Sequence, residues 1–165
     1  MQNQNPFKFF IVDDDIICTY MHEKHLLNLN YNNITCFSNG NDCLNNLNQN
    51  PDIIFLDYNM DGITGLEVLK EIKRYNSGIY VIMVSGQIEI KTAVDALDHD
   101  AFGYIIKDNL VYDKMTLIIN KIKLMKESVK NTIAILDNLP LYNSLIMENP
   151  FLWYTLDLGY KYKIL

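Results

Sequence analysis

The stretch "FFIVDDD", residues 9–15, ends an apolar run in three consecutive aspartates. Adjacent carboxylates repel unless a cation holds them. An all-oxygen donor set with room for water suits a hard divalent ion such as Mg²⁺. Asp13 and Asp14 therefore read as metal ligands. Asp15 reads instead as the cap of the helix that follows, within a solvated turn. Other reactive side chains also stand where apolar runs end: Asp57 closes "DIIFLD", Ser85 closes "YVIMVS", and Lys107 follows "FGYII". If these runs are neighbours, three carboxylates, one hydroxyl and one ammonium converge on a single crevice suited to a hard cation.

For these residues to meet, the runs that carry them must be neighbouring strands. Strand candidates are residues 7–12, 33–37, 52–57, 80–85 and 102–106, the third and fourth apolar enough to be buried on both faces. Between and after them, 16–28, 41–49, 65–75, 88–98 and 111–136 carry helical periodicity. Thr64 and Glu67 have capping-box spacing at the start of the third helix. Five βα units in series predict an α/β fold with a doubly wound five-stranded parallel sheet. Such sheets place their ligands outside the carboxyl ends of the strands, where every candidate residue falls.

Composition narrows the function classes. The chain has 165 residues, 49% hydrophobic and 21% charged, as expected of one globular domain with a core. A net charge of −6 argues against a surface that neutralises phosphate backbone, so no direct nucleic-acid partner is expected. Cys18, Cys36 and Cys43 are odd in number and lack CxxC spacing, which fits a reducing cytosol better than a disulfide framework or zinc site. The first residues lack a basic segment followed by a long apolar one, and no apolar run nears the ~20 residues of a membrane span. A cytoplasmic protein without membrane contact is expected.

In these motifs the sequence resembles the receiver domain of bacterial two-component response regulators. "IVDDD" resembles the family's acidic pair, "SNGNDCL" its second-helix entry, and "PDIIFLDYNMDGITGLEVLKEIK" its phosphoacceptor loop and third helix. "VIMVSG" and "DAFGYIIKD" resemble its Ser/Thr and its aromatic and Lys positions; the likeness spans about residues 7–130. It implies a flavodoxin-like strand order 2-1-3-4-5 and phosphorylation of Asp57 from a sensor histidine kinase or a histidine phosphotransfer protein. It further implies Mg²⁺ held by Asp14, Asp57 and the backbone carbonyl of Asn59, with Asp13 acting mostly through water. Lys107 and Ser85 would contact the phosphoryl group, and Ser85 and Tyr104 would form a switch that turns the Tyr104 ring from exposed to buried. No catalysis is expected beyond slow self-dephosphorylation.

Two departures stand out. Asp61 and Asp108 occupy places where the family commonly has proline. Because a non-prolyl cis bond costs ~2.5–4 kcal/mol, the Lys107–Asp108 bond should be trans. Two alternatives are a phosphorylation-independent pseudo-receiver and a Mg²⁺-dependent aspartyl phosphohydrolase. The second needs a carboxylate acid/base two residues after the nucleophile, where Asn59 offers only an amide. His22, His25 and His99 are expected at the surface.

The receiver should occupy residues 1–136, with 137–165 an extension that reads as a docking tail or the stub of a larger module. On the fifth helix, Met115, Ile118, Ile122, Met125, Val129, Thr132 and Leu136 follow a heptad, with Leu117, Ile119 and Leu124 on a second face. This pattern points to a homodimer through that helix. At ~39 Å its last turns should project past the domain, with Leu139, Leu141 and Phe151–Trp153 as the alternative cover.

Overall fold

The computed structural model describes residues 7–86 and 90–137. Five short apolar runs form strands: β1 (Phe9–Val12), β2 (Ile34–Phe37), β3 (Ile53–Asp57), β4 (Tyr80–Ser85) and β5 (Gly103–Ile106). All pairings are parallel, in the order β2-β1-β3-β4-β5. This is the doubly wound sheet expected from the sequence. β1 and β3 are buried along their whole length, so neither shows polar alternation. The edge strand β2 is half-buried, as is most of β5.

Five helices follow the strands: α1 (Ile16–Asn28), α2 (Gly40–Asn45), α3 (Gly65–Tyr75), α4 (Ile90–Asp98) and α5 (Val111–Asp137). Successive strand residues feed opposite faces of the sheet. Phe10, Val12, Ile54, Leu56 and Met83 join Cys43 of α2, Val68 and Ile72 of α3, and Ala96 of α4 in one core cluster. The intervening residues Phe9, Ile11, Phe55 and Ile82 are equally buried. Among them the Phe9 ring lies 4.8 Å from Tyr31 and parallel to Phe55 at 6.3 Å.

Two helices depart from expectation. The single helix expected over 41–49 ends at Asn45, and a 3₁₀ turn, Leu47–Gln49, follows. The Asn46 amide donates to the Asp42 carbonyl at 2.8 Å, and Asn50 adopts a left-handed conformation that stops the chain. Asparagine side chains compete for backbone partners in this way, which is why an Asn-rich segment sustains only a short helix. The fourth helix is seen from Ile90; positions 88 and 89 of the expected range lie outside the described residues.

Contacts divide the chain into two compact units, 1–114 and 115–165, with the boundary one turn into α5. Along α5, Val111, Met115, Ile119 and Ile122 are buried, whereas Leu117, Leu124, Met125 and Val129 are exposed. Burial follows neither expected stripe alone: Met115 and Ile122 of the heptad are buried while Met125 and Val129 are exposed, and on the second face Ile119 is buried while Leu117 and Leu124 are exposed. A straight helix repeats every 3.6 residues and drifts ~20° per heptad away from a 3.5-residue stripe. The side chain of Leu136, and residues 139–153 with their expected cover, lie outside the described residues. Among the described residues no helix is long and apolar enough to cross a membrane.

Candidate functional site

Register builds the site. β1 and β3 pair Val12 with Leu56, so the next residues, Asp13 and Asp57, emerge side by side at the carboxyl edge. β4 and β5 pair Ser85 with Ile106, which puts Lys107 one residue past that edge. Hydrophobic burial thus decides where each run stops, and parallel pairing aligns the stops.

Asp13 is 3% exposed and Asp57 5% exposed, values that only a partner makes tenable for carboxylates. That partner is the Lys107 ammonium, 2.8 Å from Asp13 Oδ2 and 2.7 Å from Asp57 Oδ1. Burial pushes the Asp57 carboxyl above its ordinary range; Lys107 opposes this, and the charges of Asp13 and Asp14 add to it. For Lys107, burial works against the charged form, but the hydrogen bonds with Asp13 and Asp57 overcome it and raise its pKa. Asp13, Asp14 and Asp57 each offer a carboxylate oxygen, all within 4.8 Å of one another. A compact oxygen-only set containing an under-neutralised buried carboxylate fits a hard divalent cation.

The other expected residues fall around this cluster. Asp14 is exposed, and its Oδ2 accepts from the Asp61 backbone N–H at 3.3 Å. Asn59 is exposed two residues beyond β3. Ser85 is fully buried, and its carbonyl accepts from the Lys107 N–H at 2.8 Å. Tyr104 pairs with Met83 and is partly buried against the core cluster. Asp15 caps α1, its Oδ1 accepting from the N–H groups of Ile17 and Cys18 at 2.8 and 3.3 Å. The Thr64–Glu67 capping box is present at α3. The Lys107–Asp108 bond is trans, as expected.

The histidine expectation needs correction. His22 is 3% exposed, its ring 6.0 Å from that of Tyr112, and burial holds its pKa below the ordinary value. It shares the inward stripe of α1 with Leu26, while Ile16, Ile17, Tyr20 and Met21 face solvent. His25 and His99 are half-buried rather than exposed, and no histidine joins the carboxylates among the described residues.

Two supports escaped the sequence reading. A Cβ on Gly65 would lie 2.1 Å from the Asp57 carbonyl oxygen and 2.9 Å from Tyr58 Cα, so only glycine lets α3 start against the end of β3. Glycine directly after the cap Thr64 was the available sign. Asp108 accepts from the Leu110 N–H at 2.9 Å and from the Lys114 ammonium at 2.7 Å, anchoring the loop after Lys107 to the start of α5.

A family model described as the response regulator receiver domain matches residues 9–120. The chain belongs to the response regulator receiver family. The DNA-binding transcriptional regulator NtrC of Salmonella typhimurium is 31% identical over 112 residues, 66% of this chain and 23% of that relative. This receiver chain therefore spans about a quarter of the length of that relative. A CheY-like receiver domain from Methanospirillum hungatei shares the fold, with TM-score 0.66 and 22% identity over 74% of this chain and 98% of that one. TrrA of Thermotoga maritima, solved in complex with Mg²⁺ and BeF, is 25% identical with TM-score 0.62, covering 70% of this chain and 97% of that one. The CheY of a CheX–CheY–BeF₃–Mg²⁺ complex from Borrelia burgdorferi is similar at 25% identity and TM-score 0.66, over 71% and 89% of the two chains.

Proposed function

We propose that this receiver is a phosphoryl-accepting switch in a two-component phosphorelay, with Asp57 as the phosphoacceptor. The observation that carries the reading is the cluster of three carboxylates within 4.8 Å, with an ammonium 2.7 Å from Asp57. An Asp57 carboxylate oxygen forms a bond to phosphorus as the bond from phosphorus to a donor histidine nitrogen breaks, leaving an acyl phosphate and an imidazole. The donor is a sensor histidine kinase or a histidine phosphotransfer protein. Asp14, Asp57 and the Asn59 carbonyl would hold Mg²⁺, with Asp13 contributing through water. When bound, the cation offsets charge on the phosphoryl oxygens. Lys107 supplies a second positive charge and Ser85 a hydroxyl donor. Movement of Ser85 toward the phosphoryl group would let Tyr104 complete its burial, turning a charge change into a packing change.

Neither alternative is favoured. Every residue type for phosphoryl acceptance is in place, and Asn59 cannot act as a proton shuttle. The finer assignments belong to the same proposal. The receiver runs to residue 136, a cytoplasmic setting is supported by three free cysteines, and two copies pair through the exposed α5 face. On that face Leu117, Lys121, Leu124, Met125 and Val129 line a shallow apolar depression. Sedimentation tests the pairing: wild type should dimerise at tens of micromolar and Leu124→Glu/Val129→Glu should not, whereas a monomeric wild type, phosphorylated or not, overturns it. The central test is intact mass after acetyl phosphate and Mg²⁺. Wild type should gain one phosphoryl group and Asp57→Asn none; undiminished labelling of the variant places the phosphoacceptor elsewhere.

A further inference from the structure

The three carboxylates of the pocket are held by different means. Asp13 and Asp57 are buried and share the Lys107 ammonium. Asp14 is exposed, and its one hydrogen bond among the described residues comes from the Asp61 backbone N–H to Oδ2 at 3.3 Å. The donor belongs to the loop that leaves Asp57, so the segment following one carboxylate returns to hold another, 47 positions away. Two features fix the course of that loop. Gly62, directly after Asp61, has φ +87°, a conformation that reverses the chain and that other residues rarely adopt. The Gly65 N–H then donates to the Tyr58 carbonyl at 2.9 Å and closes the turn.

We propose that the Asp61 backbone N–H is a positioning group for the Asp14 carboxylate, presenting it to the cation in one orientation. The role rests on the metal site described under Proposed function. An exposed aspartate samples several rotamers, and a ligand that must be ordered on binding loses affinity to that ordering. An N–H donor on one oxygen fixes the rotamer beforehand and leaves the other oxygen available. The Asp61 carboxylate is a separate matter, since its charge acts at longer range and does not select a rotamer.

The two contributions separate by substitution, because Asp61→Ala and Asp61→Pro both remove the carboxylate, whereas only proline removes the N–H. Calorimetric Mg²⁺ titration of the full chain should show Asp61→Pro binding about fivefold more weakly than Asp61→Ala, the share expected of one hydrogen bond. Equal affinities for the two variants, within twofold, overturn the positioning role while wild-type binding keeps the metal site intact. A wild type that binds no Mg²⁺ overturns the metal site itself, and this role with it. Because proline also constrains the loop, a second measurement uses unaltered residue 61. Without Mg²⁺, the Asp61 amide should exchange with solvent several-fold faster in Asp14→Ala than in wild type, and unchanged exchange refutes the bond.

Discussion

Replacing Lys107 with methionine keeps the length of the side chain and removes its charge, leaving Asp13 and Asp57 facing each other without a counter-charge. Their side chains are 2% and 6% exposed, and that of Lys107 is 21% exposed. At 2.7 Å and an effective dielectric constant of ~20, each pair attracts by ~6 kcal/mol before desolvation, which takes back several kcal/mol per ion. Removing one partner of a buried pair typically destabilises by ~3–5 kcal/mol, and the partly exposed ammonium places this case near ~3. For a chain of 165 residues that corresponds to a fall in Tm of ~6–12 °C, measured by thermal unfolding at pH 7 with EDTA. Acid should narrow the gap. Burial already raises the folded-state pKa of Asp57, and the loss of Lys107 raises it further, so the folded variant takes up a proton that the unfolded chain does not. Stability of the variant relative to wild type therefore rises from pH 7 to pH 5. The raised pKa of Lys107 leaves its own contribution intact throughout that window, since it is lost only above the unfolded value of ~10.4. Loss of the ammonium leaves the carboxylates more negative and should tighten Mg²⁺ binding. Where Mg²⁺ is ten times the Kd of the variant and no higher than that of wild type, the variant gains ~1.4 kcal/mol and wild type at most ~0.4, so the gap narrows by ~1 kcal/mol. An unchanged Tm in EDTA, or a gap independent of both pH and Mg²⁺, would refute this account of the pocket.

Gly65→Ala should lower stability by at least ~1–3 kcal/mol and reduce labelling of Asp57, because its Cβ meets backbone rather than a yielding side chain; urea unfolding and intact mass read the two effects. Asp15→Ala should lower the urea midpoint through loss of the α1 cap yet leave Mg²⁺ affinity within twofold, whereas Asp14→Asn should lose most Mg²⁺ binding; equal effects of the two on titration would mean that the acidic run acts as a diffuse field. Thr64→Ala should remove ~1 kcal/mol from α3 by breaking the capping box, measurable as a lower urea midpoint. Burial depresses the folded-state pKa of His22, so its contribution is lost as pH falls through the unfolded value of ~6.5 toward the lower folded one. Chemical denaturation of His22→Gln should accordingly show a flatter stability profile than wild type between pH 7 and 5, and parallel profiles would exclude the role.

Sequence alone determined the features that are local or periodic. Apolar runs of strand length between helical patterns fixed the parallel sheet, because strands covered on both faces need no polar alternation. The caps Asp15 and Thr64 were legible because a cap bonds to N–H groups two or three residues away. The reactive set was legible for a related reason: Asp13, Asp14, Asp57, Ser85 and Lys107 each stand at the end of a run or within two residues past it, and parallel pairing brings run ends together. Only the tertiary structure decided how those side chains share their partners. That one ammonium serves both Asp13 and Asp57 follows from the spacing between strands at the sheet edge. That the Asp61 N–H reaches Asp14 follows from the path of a loop turned by Gly62. The inward face of α1, which buries His22 and exposes Ile16 and Ile17, ran against the hydrophobicity of its own residues. A helix face is chosen by what the rest of the chain packs against it, and no pattern within thirteen residues encodes that choice.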